Sequence, residues 1–88
     1  MAIAFPNNAR SYDESARRVR FLGYDGMFEI RFFVDIDVLA KERFEAATSE
    51  RDYLASFDRL RTRILDVAKR VYTSKPKSSI VLQRSDFK

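Results

Sequence analysis

Apolar side chains recur with helical spacing between Ser49 and Thr73, the longest periodic stretch of the chain. Steps of three and four residues place them on one face of an amphipathic α-helix. The apolar positions are Tyr53, Phe57, Leu60, Ile64, Val67 and Val71. Ser49 and Asp52 form an N-terminal capping pattern. The sequence therefore predicts one long helix over residues 49–73, with an apolar face that needs a partner surface.

Two β-rich runs, Arg18–Tyr24 and Met27–Val34, flank the dipeptide Asp25-Gly26. Because this dipeptide suits the positive φ angles of a type I′ turn, we predict a two-residue hairpin in which Tyr24 pairs with Met27. The side chains that this register places on the core face are Val19, Phe21, Phe28, Ile30, Phe32 and Val34.

The chain before the hairpin is less regular. Residues 2–5 form an apolar run that Pro6 ends, which indicates a short edge strand with Ile3 and Phe5 facing inward. Residues 9–16 are polar and typical of a turn, so no strand is predicted there.

A short helix is predicted from Asp35 to about Ala46, capped by one of the two aspartates at its start, and a last strand from Ser79 to Arg84. The predicted fold class is α+β. It has two layers, with an antiparallel sheet of the short N-terminal strand, the hairpin and the C-terminal strand. A short and a long helix pack on one face, in the order β-β-β-α-α-β.

Composition indicates a single small domain over residues 1–88, with 45% hydrophobic residues. The N-terminus lacks the basic and long apolar regions of a secretory signal, and no run approaches the ~18 apolar residues of a membrane span. A cytoplasmic protein without a membrane partner is therefore expected. There is no cysteine, which excludes disulfides and thiolate metal sites.

The net charge of +4 is unevenly distributed, because residues 59–88 carry nine basic and two acidic side chains. Such asymmetry points weakly to an acidic partner, while a solvated surface rich in arginine is the plainer interpretation.

Several short motifs occur together in this chain. They are Ile3-Ala4-Phe5-Pro6, Tyr12-Asp13, Asp25-Gly26, Phe57-x-x-Leu60-Arg61-x-x-Ile64 before Ala68, and Ser85-Asp86. In this combination the chain resembles a bacterial family of uncharacterised small proteins, the domain of unknown function 1488. The resemblance spans essentially the whole chain. It implies a free-standing α+β domain of bacterial origin with no assigned activity, and it transfers no functional residue.

The sequence contains few residues that could support catalysis. Histidine and cysteine are absent, and the two glycines form no phosphate-binding loop. Asp35 and Asp37 are the remaining candidates, since paired carboxylates can bind Mg²⁺, although acids in a first helical turn are expected for capping. We therefore predict a non-enzymatic protein with no cofactor and no metal.

The outer face of the predicted hairpin is the main candidate surface. It carries Arg18, Arg20, Leu22, Tyr24, Met27, Arg31 and Phe33. In the predicted register Arg20 lies directly opposite Arg31, which is unfavourable unless an anion or a partner compensates. A protein interface is favoured, either in a homo-oligomer or with another protein, because such apolar patches are rarely left exposed. Weak nucleic-acid binding by this face and the basic C-terminal third is the alternative, possible in principle but not favoured.

Two positions on the long helix complete the predictions. Arg61 falls inside the apolar arc, which predicts either a buried ion pair, with Asp25 or Asp86 as partners, or an anion site. A 25-residue helix is also longer than the hairpin strands. The apolar side chains of residues 67–72 must therefore be covered by the C-terminal strand or by another subunit.

Overall fold

Helices cover one face of a four-stranded sheet in the computed structural model, which describes residues 3–6, 9–40 and 50–87. The strands are β1 (Arg10–Asp13), β2 (Arg18–Asp25), β3 (Phe28–Asp35) and β4 (Ser79–Leu82). The helices are α1 (Ile36–Ala40), α2 (Glu50–Arg59) and α3 (Arg61–Ser74), and a 3-10 turn follows β4 at Arg84–Phe87. The predicted α+β class and the order of elements are confirmed.

The sheet is mixed, with the strands in the order β1-β2-β3-β4. β1, β2 and β3 are antiparallel, whereas β4 lies parallel to β3, with Ile80 beside Phe32. The prediction of a wholly antiparallel sheet was wrong in this respect. The reason is topological, since α2 and α3 carry the chain back over the sheet before β4 begins, and such a crossover joins parallel strands.

The hairpin turn lies one residue later than predicted. Gly26 and Met27 are its central residues, and Asp25 pairs with Phe28. Gly26 has a φ of 63° while Met27 has no positive φ, as in a type II′ turn with glycine at the first central position. Each residue of β2 therefore faces a partner two positions further along β3 than expected. Because side chains alternate with a period of two, the same set stays on the core face.

The core lies between the inner sheet face and the helices. Its fully buried members include Phe32, Phe57, Leu39, Ile64, Leu82, Val19 and Val34. Phe28 was predicted to join them, but its side chain is 74% exposed. It lies at the hairpin end, where the helical layer stops. Tyr72, two residues from the end of α3, donates a 2.7 Å hydrogen bond from its hydroxyl to the carboxylate of Asp25, the strand partner of Phe28.

The N-terminal segment lies against the end of β2 through one β-bridge. Ala4 and Tyr24 exchange two backbone hydrogen bonds of 2.8 Å, with Ile3 buried and Phe5 packed on the core as predicted. The regular edge strand forms instead at Arg10–Asp13, where a turn was predicted. Tyr12 is the one large apolar residue of β1, so its sequence has no alternating pattern, and only pairing with β2 makes it a strand.

The predicted long helix is broken at Leu60, which has φ −97° and ψ 8°. The Leu60 N–H still donates to the Ser56 carbonyl, and the Leu60 carbonyl still accepts from the Ile64 N–H. The break is therefore local. It directs α2 toward α1, β1 and β2, and α3 toward β4, so that one apolar stripe can follow a twisted sheet.

Other helical predictions have mixed outcomes. Val67 and Tyr72 are buried within the chain, next to β4, so this end of the stripe needs no second subunit. The predicted helix over residues 35–46 is seen as α1, and its second half, like Ser49, lies outside the described residues. Among the helices described, none is both long and apolar enough to cross a membrane.

The C-terminal 3-10 turn is held on α3 by two arginines. Arg63 donates a hydrogen bond to the Phe87 carbonyl, and Arg70 donates one to the Asp86 carbonyl. The Asp86 carboxylate accepts a 2.8 Å hydrogen bond from the Gln83 N–H, so the last strand ends at Leu82 rather than at Arg84.

Gly23 leads to a prediction about how the N-terminal segment packs. A Cβ atom there would lie 2.8 Å from Phe5 Cε1 and 3.0 Å from Ile3 Cδ1. We expect Gly23→Ala to lower the free energy of unfolding by about 1–3 kcal/mol, because the core has no room for the methyl group. Urea denaturation would measure this. In a Phe5→Leu background the cost should be smaller, and an equal cost in both backgrounds would contradict the Phe5 contact as its cause.

Candidate functional site

The outer face of the sheet, on the side away from the helices, brings together most of the predicted surface residues. Apart from Asp25 and Phe28 at the hairpin end, the inward positions of β2 and β3 are buried. The outward positions are half-buried or exposed, with no described helix over them. The residues on the outer face of these two strands are Arg18, Arg20, Leu22, Tyr24, Glu29, Arg31, Phe33 and Asp35. Six of the seven predicted surface residues therefore share one face, and Met27 does not belong to it.

Four residues form a central block on the outer face. Arg20 lies directly beside Phe33, and in the next row Leu22 lies directly beside Arg31. The two arginines thus occupy one diagonal of the block, about 7–8 Å apart at Cα, and the two apolar side chains occupy the other. The predicted direct opposition of Arg20 and Arg31 was wrong, because the register differs by two residues. Ser11 of β1 and Ser79 of β4 flank the two arginines.

The charges at one end of the outer face are partly neutralised, unlike those at its centre. Arg18 donates from Nε to Asp35 Oδ1 at 2.7 Å, and Asp13 lies beside Arg18 on β1. Neither Arg20 nor Arg31 has an ion-pair partner among the residues that the structure describes. Both line an open cavity of about 540 Å³ together with Phe33, Asp13 and Glu14, and neither carboxylate forms an ion pair with either arginine. The centre of the face therefore presents two unneutralised guanidinium groups beside apolar surface.

Met27 and Phe28 form a separate exposed tip at the end of the hairpin. Their side chains are 96% and 74% exposed. Met27 is four residues from Arg31, the strand partner of Leu22, or up to about 14 Å along the direction of β3. The apolar patch predicted from Leu22, Met27 and Phe33 is therefore divided between the centre of the outer face and the hairpin tip.

Arg61 lies on the surface of α3 in contact with an aromatic ring. Its guanidinium carbon is 5.1 Å from the centroid of the Phe57 ring, and its Nη2 is 3.1 Å from Asp58 Oδ1. The side chain is 23% exposed. Its carboxylate partner is thus the residue three positions earlier in the chain, not Asp25 or Asp86. Its position over Phe57 explains why a cation occurs inside an apolar arc.

Asp58 also joins the helical layer to the edge of the sheet. Arg10 of β1 donates to both of its oxygens, from Nε at 2.8 Å and from Nη2 at 2.7 Å. These hydrogen bonds, more than those from Arg61, lower the pKa of the Asp58 carboxyl, although partial burial opposes the shift. The Arg10–Asp58 pair was missed by sequence reasoning, because the two residues are 48 positions apart and β1 itself was not predicted.

Asp35 and Asp37, the aspartates considered as magnesium ligands, have different surroundings in the structure. Asp35 is bonded to Arg18, and Asp37 lies exposed in the first turn of α1. Within residues 3–6, 9–40 and 50–87, no group of three or more acidic side chains is arranged to hold a metal ion.

The lowered pKa of Asp58 generates a prediction about acid stability. The folded chain keeps this carboxylate ionised at lower pH than the unfolded chain does. Its contribution is therefore present above the ordinary carboxyl pKa of 3.8 and is lost as the pH falls through the lowered value. We expect Asp58→Asn to flatten the pH dependence of unfolding in that acidic range. At pH 7 the cost should be no more than about 1 kcal/mol, because both partners are partly exposed.

Asp66→Asn is the matched control, since Asp66 is an exposed residue of α3 with no hydrogen bond or ion pair to the described residues. Urea denaturation of both variants at a series of pH values between 2 and 7 would make the comparison. Identical profiles for the two variants would show that the Arg10–Asp58 bridge does not influence acid stability.

Comparison with known proteins places the chain in a family. The model of the family described as "Protein of unknown function (DUF1488)" matches residues 3–82. The fold is similar to the crystal structure of a DUF1488-family protein of unknown function from Shewanella loihica PV-4. The TM-score is 0.80 and the identity 18%, over 93% of this chain and 92% of that one. No curated protein matches the chain. The resemblance inferred from the sequence motifs is confirmed, and the chain belongs to the DUF1488 family.

Proposed function

We propose that this protein is a non-enzymatic protein-interaction domain that forms a homodimer through the outer face of its sheet. The observation that carries the proposal is the central block, in which two unneutralised arginines alternate with two partly exposed apolar side chains. Arginine and aromatic residues are enriched where protein interfaces gain most of their affinity.

The pattern of the block is self-complementary under a two-fold axis. With the axis parallel to the strands and between β2 and β3, β2 of one copy lies over β3 of the other. Arg20 then faces Phe33 of the partner subunit, where a guanidinium can stack on the ring. Leu22 faces Arg31 of the partner subunit. Such reciprocal contacts are what an isologous interface requires.

A second two-fold axis is conceivable, lying in the plane of the sheet but perpendicular to the strands. Residues at the ends of the strands distinguish the two axes. An axis across the strands would also pair arginines with apolar residues at the centre, but it would bring Asp35 over the partner's Glu29. The axis parallel to the strands instead brings Arg18 over the partner's Asp35. Opposite charges therefore favour the axis parallel to the strands.

The size of the face sets the expected affinity. Strands β2 and β3 are about 26 Å long, β1 and β4 about 13 Å, and at a spacing of about 4.8 Å the four present a footprint of roughly 370 Å² per copy. This is below the roughly 800 Å² per partner of a standard interface and fits a weak, transient one. We therefore expect a dissociation constant in the micromolar range rather than a permanent dimer.

Nucleic-acid binding by the same face has weaker support. Arg18, Arg20 and Arg31 are balanced there by Asp13, Glu29 and Asp35, and Arg18 is already paired. Two free cations would neutralise about two phosphates, whereas DNA-binding proteins commonly make 6–10 such contacts. Part of the basic C-terminal third is also used internally, since Arg61, Arg63 and Arg70 bond within the chain.

The dimer is tested most sharply by two substitutions at one position. Phe33→Lys should raise the dissociation constant more than tenfold, because it sets a lysine against the partner's Arg20. Phe33→Glu should do much less harm, because its carboxylate would meet the same arginine. Sedimentation equilibrium from ~1 to ~100 μM measures both effects, at concentrations that reach interfaces as weak as about −5.5 kcal/mol.

Met27→Lys is the control, because it places the same charge on the hairpin tip, outside the proposed interface. It should leave the dissociation constant unchanged, and circular dichroism should show that every variant stays folded. A monomer mass for the unsubstituted protein up to ~100 μM would refute the dimer. Equal disruption by Phe33→Lys and Phe33→Glu would refute the two-fold arrangement.

A further inference from the structure

The outward edge of β4 carries backbone groups that no described element pairs. The Arg31 N–H donates to the Ser78 carbonyl at 2.9 Å, which fixes the direction in which Ser78 points. Successive residues of a strand direct their N–H and C=O groups to alternate sides. Ser78, Ile80 and Leu82 therefore bond toward β3, and the N–H and C=O groups of Ser79 and Val81 point to the open edge.

The protein itself closes this edge at one end. The next outward group is the Gln83 N–H, and it is bonded to Asp86 Oδ2 at 2.8 Å. Asp86 is in turn held by Arg70 of α3 through its carbonyl. The free part of the edge is thus limited to Ser79 and Val81, and α3 stands beside it.

A cavity of about 410 Å³ lies between α3 and the chain that follows β4. Its lining residues are Arg70, Val71, Ser74, Lys75, Ser85 and Asp86. The lining has two cations and one carboxylate, and that carboxylate already accepts the Gln83 hydrogen bond. Lys77, just before β4, is also exposed. No residue of β4 lines this groove, which meets the outward edge of the strand at Asp86, the acceptor of the Gln83 N–H. The groove is basic and contains apolar surface from Val71.

We propose that this groove binds an extended acidic segment of another protein, which adds to β4 as a fifth strand. Its backbone pairs with the N–H and C=O groups of Ser79 and Val81, the mode in which peptides join exposed sheet edges. Its carboxylates on the helical side face Arg70 and Lys75. Because only two residues of β4 are free, the main-chain contacts are few and charge supplies much of the selectivity.

Two competing arrangements are less consistent with the charges. If β4 paired with β4 of a second copy, the antiparallel strands would bring Lys77 close to Arg84 of the other chain, and like charges across a strand pair are unfavourable. The other edge strand, β1, begins with Arg10 and ends with Asp13, charges of the kind that protect sheet edges from pairing. β4 itself contains no charged residue.

A synthetic peptide of eight residues that alternates glutamate with valine is the first probe. Isothermal titration at low salt should give a dissociation constant of tens to hundreds of micromolar, and the same peptide with lysine for glutamate should bind at least tenfold more weakly. Two isomers N-methylated at alternate residues separate strand pairing from simple charge attraction. One isomer should keep its affinity and the other should lose it, because only alternate N–H groups face β4.

Amide hydrogen exchange locates the contact on the protein without any substitution. Ser79 and Val81 amides should exchange fast in the free protein and slow down with the acidic peptide, whereas Ile80 and Leu82 should be protected throughout. Lys75→Gln should weaken binding about fivefold, the effect of one exposed charge pair. Glu14→Gln, an exposed residue in the turn between β1 and β2 at the opposite edge of the sheet, should not change it.

Several outcomes would overturn the proposal. They are the absence of peptide binding at millimolar concentration, equal affinity of the two N-methylated isomers, and protection elsewhere than at Ser79 and Val81. Ser79→Pro removes one outward N–H at the first residue of the strand, where proline is tolerated. If this substitution weakened self-association and left peptide binding intact, the edge would be an interface between copies of this chain instead.

Discussion

The apolar inner face of the β2–β3 hairpin is the constraint on which the rest of the structure depends. Val19, Phe32 and Val34 are completely inaccessible to solvent, and the N-terminal segment, the three helices and β4 supply the other residues of the core in which they lie. α2 and α3 supply most of the cover, and the N-terminal segment supplies the remainder over Gly23. Burial of this face is the main favourable contribution available to a domain of 88 residues.

Covering the inner face has a direct consequence for the outer one. A chain of this length has elements enough for one layer of helices, and no described element covers the other side of the sheet. Side chains of β2 alternate between the two faces, so each buried apolar residue is followed by one that meets solvent or a partner. The outer face is thus available for binding as a result of the same alternation that builds the core.

Several arginines hold parts of the fold together. Arg10 bridges β1 to α2, Arg18 joins β2 to the end of β3, and Arg63 and Arg70 fasten the C-terminal turn to α3. Arg20 and Arg31 differ from these, because neither has an ion pair with a described residue and both lie beside apolar side chains at the centre of the outer face. The distinction between internal and unneutralised arginines cannot be made from the overall charge, and it shifts attention from the basic C-terminal third to the centre of the sheet.

The sequence by itself determined the fold class, the hairpin, the apolar helical stripe and the faces on which the hairpin side chains lie. These features depend on local periodicity. The faces were therefore predicted correctly although the turn was placed one residue too early. It did not determine β1, whose four residues lack an alternating pattern, or the parallel placement of β4, which follows from the path of the helices.

Nor did the sequence determine which charged side chains contact each other. Arg10 and Asp58 are distant in sequence, and a shift of two residues in register separated Arg20 from Arg31 and set Phe33 beside Arg20. Contacts between distant residues are decided by how the strands and helices assemble, because periodicity specifies the face a side chain occupies and not its neighbour across the sheet.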